Sequence, residues 1–164
     1  MTEIEITKLS DNVVDLWMNR WLLLTAGTID DCNMMTVAWG SIGCMWSMPF
    51  AQAVVRPQRH TLGYMERSDS FTLCAFPKEY RKDLQTLGSI SGRDGDKLSK
   101  TSLTLKPSTA VSAPSYNEAN LILECRKIYY QDMDPAGFVD NTIDNNYKLS
   151  FSSLLKFFQS TTDK

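Results

Sequence analysis

A short group of polar and cationic residues has the chemistry of a phosphate-binding site. The group contains Arg56, Arg59, His60 and Thr61, and it lies where a strand pattern gives way to a helix pattern. Arginine forks donate paired hydrogen bonds to phosphate oxygens, and the first turn of a helix offers free N–H groups. A helix start flanked by solvated arginines explains the same residues equally well. Spacing alone leaves both interpretations open.

A second group, over residues 33–41, has the chemistry to hold a planar heterocycle. Asn33 and Thr36 offer donors and acceptors, and Trp39 has a flat ring with one N–H. Backbone amides of such a segment can meet the carbonyl groups of a ring. Composition alone favours the alternative, a hairpin in which Asn33 makes the turn and Trp39 fills the core.

A third group is the glycine-rich segment 91–97, with the sequence Ser-Gly-Arg-Asp-Gly-Asp-Lys. Its spacing does not match the nucleotide-binding pattern G-x-x-x-x-G-K-[ST]. Its amides, together with Arg93 and Lys97, can still close over an anion. The alternative is a surface loop in which Asp94 and Asp96 neutralise the loop's own cations.

Composition excludes several other kinds of chemistry. The chain has 164 residues, with 17 Lys and Arg against 19 Asp and Glu, so the net charge is −2. That balance argues against generic binding to a nucleic-acid backbone, which needs a basic surface. One histidine and four cysteines without a C-x-x-C pair do not supply the usual zinc sites or a Ser-His-Asp triad. We therefore expect no metal site and no catalytic side chain.

The sequence also predicts where the protein works. The first residues, Met-Thr-Glu-Ile-Glu-Ile, are acidic where a signal peptide is basic. No apolar run approaches the roughly 20 residues of a membrane span. Each cysteine lies in an apolar stretch, which favours buried free thiols. We expect a cytoplasmic protein that contacts neither membrane nor nucleic acid.

Short strands separated by turns are expected to position these three groups. The pattern predicts a hairpin around 29–33 and strands at 21–26, 34–39, 50–56, 70–76 and 119–131. It also predicts helices over 62–67 and 78–87, the second with Pro77 at its first position and Gly88 just past its end. The segment 147–158 suits a strand or a helix. The expected structure is one domain over 1–164, α+β and mainly β, with a barrel-like antiparallel sheet.

Taken in order, the three groups and their neighbours resemble the flavin reductase-like proteins that include flavoredoxin. The resemblance covers roughly residues 15–135. It is carried by Asn33-x-Met35-Thr36-Val37-x-Trp39-Gly40, Trp46-x-x-Pro49, Val55-Arg56-Pro57-x-Arg59-His60-Thr61, Ser68-Asp69-x-Phe71-Thr72, Gly88-x-x-Ser91-Gly92-Arg93-Asp94-x-Asp96-Lys97 and Glu124-Cys125-Arg126-Lys127-Ile128-Tyr129.

This resemblance implies an FMN-binding split β-barrel with short flanking helices, as a homodimer with flavin near the subunit interface. By position, the isoalloxazine and ribityl would lie against Asn33, Thr36, Val37, Ala38 and Trp39. The 5′-phosphate would be held by Arg56, Arg59, His60 and Thr61, and the site would be closed by Lys97 with Ser91 and Arg93. Met34 and Asp96 complete the predicted cofactor-binding set. His60 stands where relatives often have Tyr.

The end of the chain departs from the family pattern. Members commonly finish with a strand similar to His-x-x-Tyr-x-Gly-Glu-Ile, whereas the sequence from Tyr147 to Phe158 differs. We therefore treat 147–164 as atypical.

The implied function needs no catalytic side chain, because the reaction takes place at the flavin N5 atom. The leading hypothesis is an oxidoreductase that takes a hydride from NAD(P)H and passes electrons to an acceptor. The chain has no G-x-G-x-x-G fingerprint, so nicotinamide would have to stack on the flavin itself. One alternative is a flavoredoxin-like electron carrier with a redox protein as its partner. A further alternative is a split-barrel binding protein without catalysis.

Overall fold

A five-stranded antiparallel sheet is the centre of the molecule. The computed structural model describes residues 8–140, residue 142 and the backbone of 157–160. Its strands are β1 (Leu22–Gly27), β2 (Cys32–Val37), β5 (Ser70–Ala75), β8 (Leu121–Tyr129) and β9 (Phe157–Ser160). They lie in the order β2-β1-β5-β8-β9.

Two short pairs of strands accompany this sheet. The first pair is β3 (Gly40–Met45) with β4 (Met48–Ala53), and the second is β6 (Leu105–Lys106) with β7 (Ser115–Tyr116). Because β4 lies against β9, the first pair lies next to the far edge of the main sheet. The helices are α1 (Val13–Asp15), α2 (Thr61–Arg67) and α3 (Arg81–Ser89).

The central strands β1 and β5 are buried at every position, which is why their sequences read as almost continuous apolar runs. Alternate residues of β1 enter two different cores. Leu22 and Leu24 belong to a core that includes Phe71, while Leu23 belongs to one that includes Leu84 and Tyr116. The second core is the one that α3 covers. The two-residue period of a strand therefore fixes which face receives that helix.

The predicted hairpin of β1 and β2 is confirmed, but its turn lies earlier than expected. The turn is closed by a hydrogen bond of 2.9 Å from the Thr28 amide to the Asp31 carbonyl. The strand β2 then begins at Cys32, so Asn33 is a strand residue that pairs with Ala26. The expectation that Asn33 makes the turn is therefore wrong.

The strand β3 was not predicted, and the strand predicted over 50–56 is shifted to Met48–Ala53. The residues of β3 are half-buried or exposed and include two glycines, so they carry no clear alternation. A two-residue turn joins β3 to β4, with Trp46 and Ser47 at φ angles of 52° and 59°. Both residues adopt the left-handed region that such tight hairpin turns require.

The two predicted helices are present with revised ends. The first is α2, as expected. In the second, Lys78–Tyr80 forms a 3₁₀ turn preceded by Pro77, and α3 then runs through Gly88 to Ser89. Gly88 therefore does not end the helix. It permits a close approach instead, since a Cβ there would lie 3.1 Å from Cβ of Thr36.

Three further expectations concern the end of the chain, the membrane and the cysteines. The residues at 147–156 and 161–164 lie outside the described residues. Within the described part, no helix is long and apolar enough to cross a membrane. The four cysteines are free, and Cys74 and Cys125 are buried as expected, but Cys44 is exposed and Cys32 is half-buried.

The tight approach at Gly40 generates a testable prediction. A Cβ at Gly40 would lie 2.1 Å from the Gln52 carbonyl oxygen and 2.4 Å from Cη2 of Trp17. The Gly40→Ala variant should therefore lose about 1–3 kcal/mol of unfolding free energy, measured by urea denaturation.

Gly63 provides the matched control. It lies in α2, and a Cβ there would meet nothing within 4 Å. Because glycine inside a helix loses more backbone entropy on folding than alanine does, the Gly63→Ala variant should gain about 0.5–1 kcal/mol of unfolding free energy. Equal effects of the two substitutions would contradict the packing described here.

Candidate functional site

The three groups singled out in the sequence meet at one place in the fold. The side-chain amide of Asn33, on β2, donates to the hydroxyl oxygen of Thr61 at 2.9 Å. That hydroxyl donates in turn to the Met34 carbonyl at 3.3 Å. Gly92 lies so close that a Cβ there would be 2.4 Å from Oδ1 of Asn33 and 3.0 Å from Cδ2 of His60. The segments 33–41, 56–61 and 91–97, which are far apart in sequence, thus lie together. We name the place where they meet the convergence site.

Gly92 was not among the predicted site residues. The signal that could have found it is its place in the glycine-rich segment 91–97, where a residue without a side chain permits close packing. Ser91 has a local role in the same segment, because its hydroxyl oxygen accepts a hydrogen bond of 3.2 Å from the Arg93 amide.

Arg56, Arg59 and His60 are placed by a tight turn that leads into α2. The Arg59 amide donates to the Arg56 carbonyl at 3.0 Å, and the Leu62 amide donates to the Arg59 carbonyl at 3.0 Å. The His60 ring meets the Tyr64 ring edge to face, with centroids 5.5 Å apart. The turn therefore presents two arginines and a histidine beside Asn33.

Two of the predicted cofactor-binding residues contact the carboxyl end of α3. The ammonium group of Lys97 donates to the carbonyls of Leu87 and Ile90 at 3.0 and 3.2 Å. Nη1 of Arg59 donates to the Gly88 carbonyl at 2.9 Å. The last carbonyls of a helix have no partner within it, and cations there are favoured by the helix dipole. No pattern in the sequence predicted this contact.

Lys97 is buried, with 4% of its surface exposed. Burial, followed by the nearby charge of Arg59, lowers its pKa from 10.5 to about 8. A buried ammonium without a carboxylate partner is costly, and its two carbonyl contacts offset part of that cost.

The cations of the convergence site have no ion-pair partner among residues 8–140. Within residues 8–140, no carboxylate oxygen lies within 4.0 Å of a side-chain nitrogen of Arg56, Arg59, Arg93 or Lys97. Arg93 instead donates to the Gln58 carbonyl at 3.2 Å.

The predicted alternative, in which Asp94 and Asp96 neutralise their own loop, is therefore wrong for the described residues. Oδ1 of Asp96 accepts from the amides of Leu98 and Ser99 at 2.9 and 3.2 Å, which caps a short 3₁₀ turn. The Asp96 charge also acts on Cys32. Burial, followed by the charges of Asp31 and Asp96, raises the pKa of Cys32 to about 11.

The residues predicted to contact a ring lie along β2 and just beyond it. Met34 and Val37 are buried in the two cores, so only their backbone is available to a ligand. Trp39 is 40% exposed, so the alternative in which it fills the core is wrong. Ala38 is half-buried, and the Thr36 hydroxyl donates to the Leu84 carbonyl at 2.5 Å. Trp39 is therefore the exposed residue of this group, whereas Thr36 and Ala38 are half-buried.

The sequence matches the flavin reductase like domain over residues 19–135. It is 29% identical over 113 residues to an uncharacterised protein of Archaeoglobus fulgidus, a match that covers 69% of this chain and 63% of that protein. The chain therefore spans less than two thirds of that relative.

Solved structures show the same fold at low sequence identity. A flavoredoxin from Methanosarcina acetivorans superposes with a TM-score of 0.68 at 19% identity, covering 97% of this chain and 74% of that one. An FMN-binding domain of a flavin reductase-like enzyme from Shewanella baltica gives 0.62 at 18% identity, covering 91% and 73%. The predicted α+β, mainly β, split barrel is confirmed.

The pKa of Lys97 leads to a prediction about stability. Between pH 8 and 10.5 the unfolded chain binds a proton at Lys97 that the folded chain does not. The free energy of unfolding should therefore rise with pH across that window, with a slope from this group of up to about 1.4 kcal/mol per pH unit. Lys97→Met should lack this contribution in urea denaturation across the window.

Lys100 is the matched control, because it is an exposed lysine three residues further along the chain. Lys100→Met should keep the slope of the parent protein. Parallel curves for the parent and Lys97→Met would show that Lys97 keeps its proton throughout the window.

Proposed function

Because the chain belongs to the family of flavin reductase-like domains, we propose that it binds FMN at the convergence site and passes electrons from NAD(P)H through the flavin to an acceptor. The observation that carries this proposal is the group of cations at that site with no carboxylate partner among the described residues. Unpaired cations grouped around one short turn suit one compact anion rather than a polymer.

The donors of the site fit a terminal phosphate. An ammonium group has three donors and a guanidinium has five, whereas Lys97 uses two on carbonyls and Arg59 uses one. Both side chains therefore keep N–H donors for phosphate oxygens while their contacts with the end of α3 stay in place. Arg56 and Arg93 add further planar donors that match such oxygens.

The position of β2 supports a ring site next to the phosphate site. In the described sheet β2 is an edge strand, paired only with β1. An edge strand presents backbone N–H and C=O groups that the sheet does not use, and these groups can meet the polar edge of a ring. Trp39, just beyond β2, adds an exposed aromatic surface. We propose that β2 orients the ring and that the turn at 56–61 holds its phosphate.

FMN, when bound, supplies hydride and single-electron transfer at its ring. The contribution of the chain is then to bind the phosphate, to orient the ring and to keep donors facing the ring carbonyls. None of these tasks requires a side-chain nucleophile.

The electron donor separates the two leading functions. An absorbance spectrum of the purified protein with added FMN first tests binding, and anaerobic titration with NADH and NADPH then tests reduction. Bleaching by either nucleotide, faster than for free FMN under the same conditions, supports the oxidoreductase. The likeness to a flavoredoxin favours a second candidate, an electron carrier, for which only a reduced redox protein such as a ferredoxin should bleach the flavin.

A colourless protein whose thermal unfolding does not respond to FMN would contradict both functions and favour a binding protein without flavin. The homodimer, the protein redox partner and the cytoplasmic location stay predictions.

The phosphate assignment is tested by comparing two flavins. Arg59→Ala should weaken the binding of FMN by about tenfold or more, because a charge-assisted hydrogen bond to the phosphate is lost. Riboflavin lacks the phosphate and should bind both proteins nearly equally, which separates phosphate binding from the contact of Arg59 with α3. Fluorescence titration measures both dissociation constants.

Arg67→Ala provides the matched control. Arg67 is an exposed arginine of α2 that pairs with Asp31 at 3.0 Å, so its loss should leave both flavins unaffected. Equal weakening of FMN and riboflavin by Arg59→Ala would remove Arg59 from the phosphate site.

A further inference from the structure

A concave region lies at the opposite end of α3 from the convergence site. It is a cleft of about 640 Å³ between the segment before β1, the end of β5 and the first turn of α3. Pockets of roughly 300–1,000 Å³ hold small organic ligands. None of the predicted cofactor-binding residues lines this cleft, so the flavin does not account for it.

Three cations and an apolar wall line the cleft. The cations are Arg20, Lys78 and Arg81, and the wall is formed by Phe76, Pro77 and Leu84. Phe76 and Leu84 belong to the core beneath α3, so this wall is rigid. A cationic rim above an apolar floor suits a ligand with one anionic group and an apolar body.

Arg81 is held in place with one edge of its guanidinium unused. Nη1 donates to the carbonyls of Asn19 and Arg20 at 2.5 and 3.1 Å, and the guanidinium carbon lies 3.1 Å from the centroid of the Trp21 ring. Among the described residues, no acceptor lies within hydrogen-bond distance of its Nε or Nη2. These two groups form the edge that receives a carboxylate with paired hydrogen bonds.

The three cations of the cleft outnumber the two carboxylates nearby, Asp11 and Asp15, so the cleft has a net positive charge. Asp15 accepts a hydrogen bond of 2.8 Å from the Asn19 amide group. Asp11 pairs with Arg20 at 2.5 Å, and Nη2 of Arg20 donates to Asn120 at 3.2 Å. Lys78 is exposed and has no carboxylate within 4.0 Å in the described part of the chain. The cleft therefore keeps a positive balance at Arg81 and Lys78.

We propose that this cleft is a binding site for a small organic carboxylate with an apolar body. The carboxylate lies against the Nε and Nη2 edge of Arg81 and near Lys78. The apolar body lies against Phe76, Pro77 and Leu84. The site is separate from the proposed flavin site and does not depend on flavin binding.

The test uses benzoate as the probe and benzamide as its uncharged match, with binding followed by backbone amide shifts in NMR spectra. Benzoate should shift the amide signals of Phe76, of residues 78–81 and of Asn120, both with and without excess FMN. Benzamide should bind at least about fivefold more weakly, because it lacks the charge that Arg81 and Lys78 recognise. Because the amide shifts report directly on the cleft, failure of the protein to bind FMN would leave this result readable.

Variants on one helical segment identify the residues responsible. Arg81→Lys should weaken the binding of benzoate by about tenfold, because a compact ammonium group replaces a planar guanidinium that donates two parallel hydrogen bonds. Lys78→Gln should weaken it by about two- to fivefold, as expected for an exposed charge. Lys82→Gln removes an exposed lysine that does not line the cleft and should have no effect.

Several results would overturn the proposal. They are equal affinity for benzoate and benzamide, shifts confined to residues outside the cleft, displacement of benzoate by FMN, or equal effects of Lys78→Gln and Lys82→Gln. Should Arg81→Lys not fold, the comparison of the two glutamine variants decides the matter.

Discussion

The last carbonyl groups of α3 have no partner within the helix, and the cations of the convergence site provide one. Lys97 and Arg59 reach these carbonyls from segments that are distant in sequence, and Thr36 reaches the Leu84 carbonyl from β2. The same contacts bring the glycine-rich segment and the turn at 56–61 toward β2. Because a helix end must be satisfied when it is buried, one backbone requirement assembles the site.

The cations consequently have two tasks that do not conflict. Their carbonyl contacts fix them in space, and their remaining donors stay available to an anion. A guanidinium or ammonium that is already held loses less conformational freedom when a ligand binds, which favours affinity. The lowered pKa of Lys97 is the cost of this arrangement, since a buried cation has only carbonyl oxygens around it.

Much of this arrangement could be predicted from the sequence, and the exceptions have physical reasons. The apolar runs of β1 and β5 predicted these two strands, and the cationic and glycine-rich segments are two of the groups that the fold brings together. The strand β3 was not predicted, because its half-buried or exposed, glycine-containing sequence has no apolar alternation. The predicted role of Gly88 at the helix end was wrong, because glycine also permits close packing. The contact of Lys97 with α3 could not be predicted, because it depends on tertiary packing. The cleft beside Arg81 could not be predicted for the same reason, since its cations come from two segments that are separate in sequence.

The tight turn at Trp46 and Ser47 constrains how this chain can vary in length. The pairing of β3 with β4 continues without a break from Gly40 opposite Ala53 to Met45 opposite Met48. A single inserted residue would either shift this register, which moves every side chain of one strand to the other face, or force a bulge. Homologous chains should therefore conserve the length of this hairpin more strictly than the identity of its residues. Insertions and deletions should collect instead in the largely exposed and irregular stretch at 130–140, which follows β8.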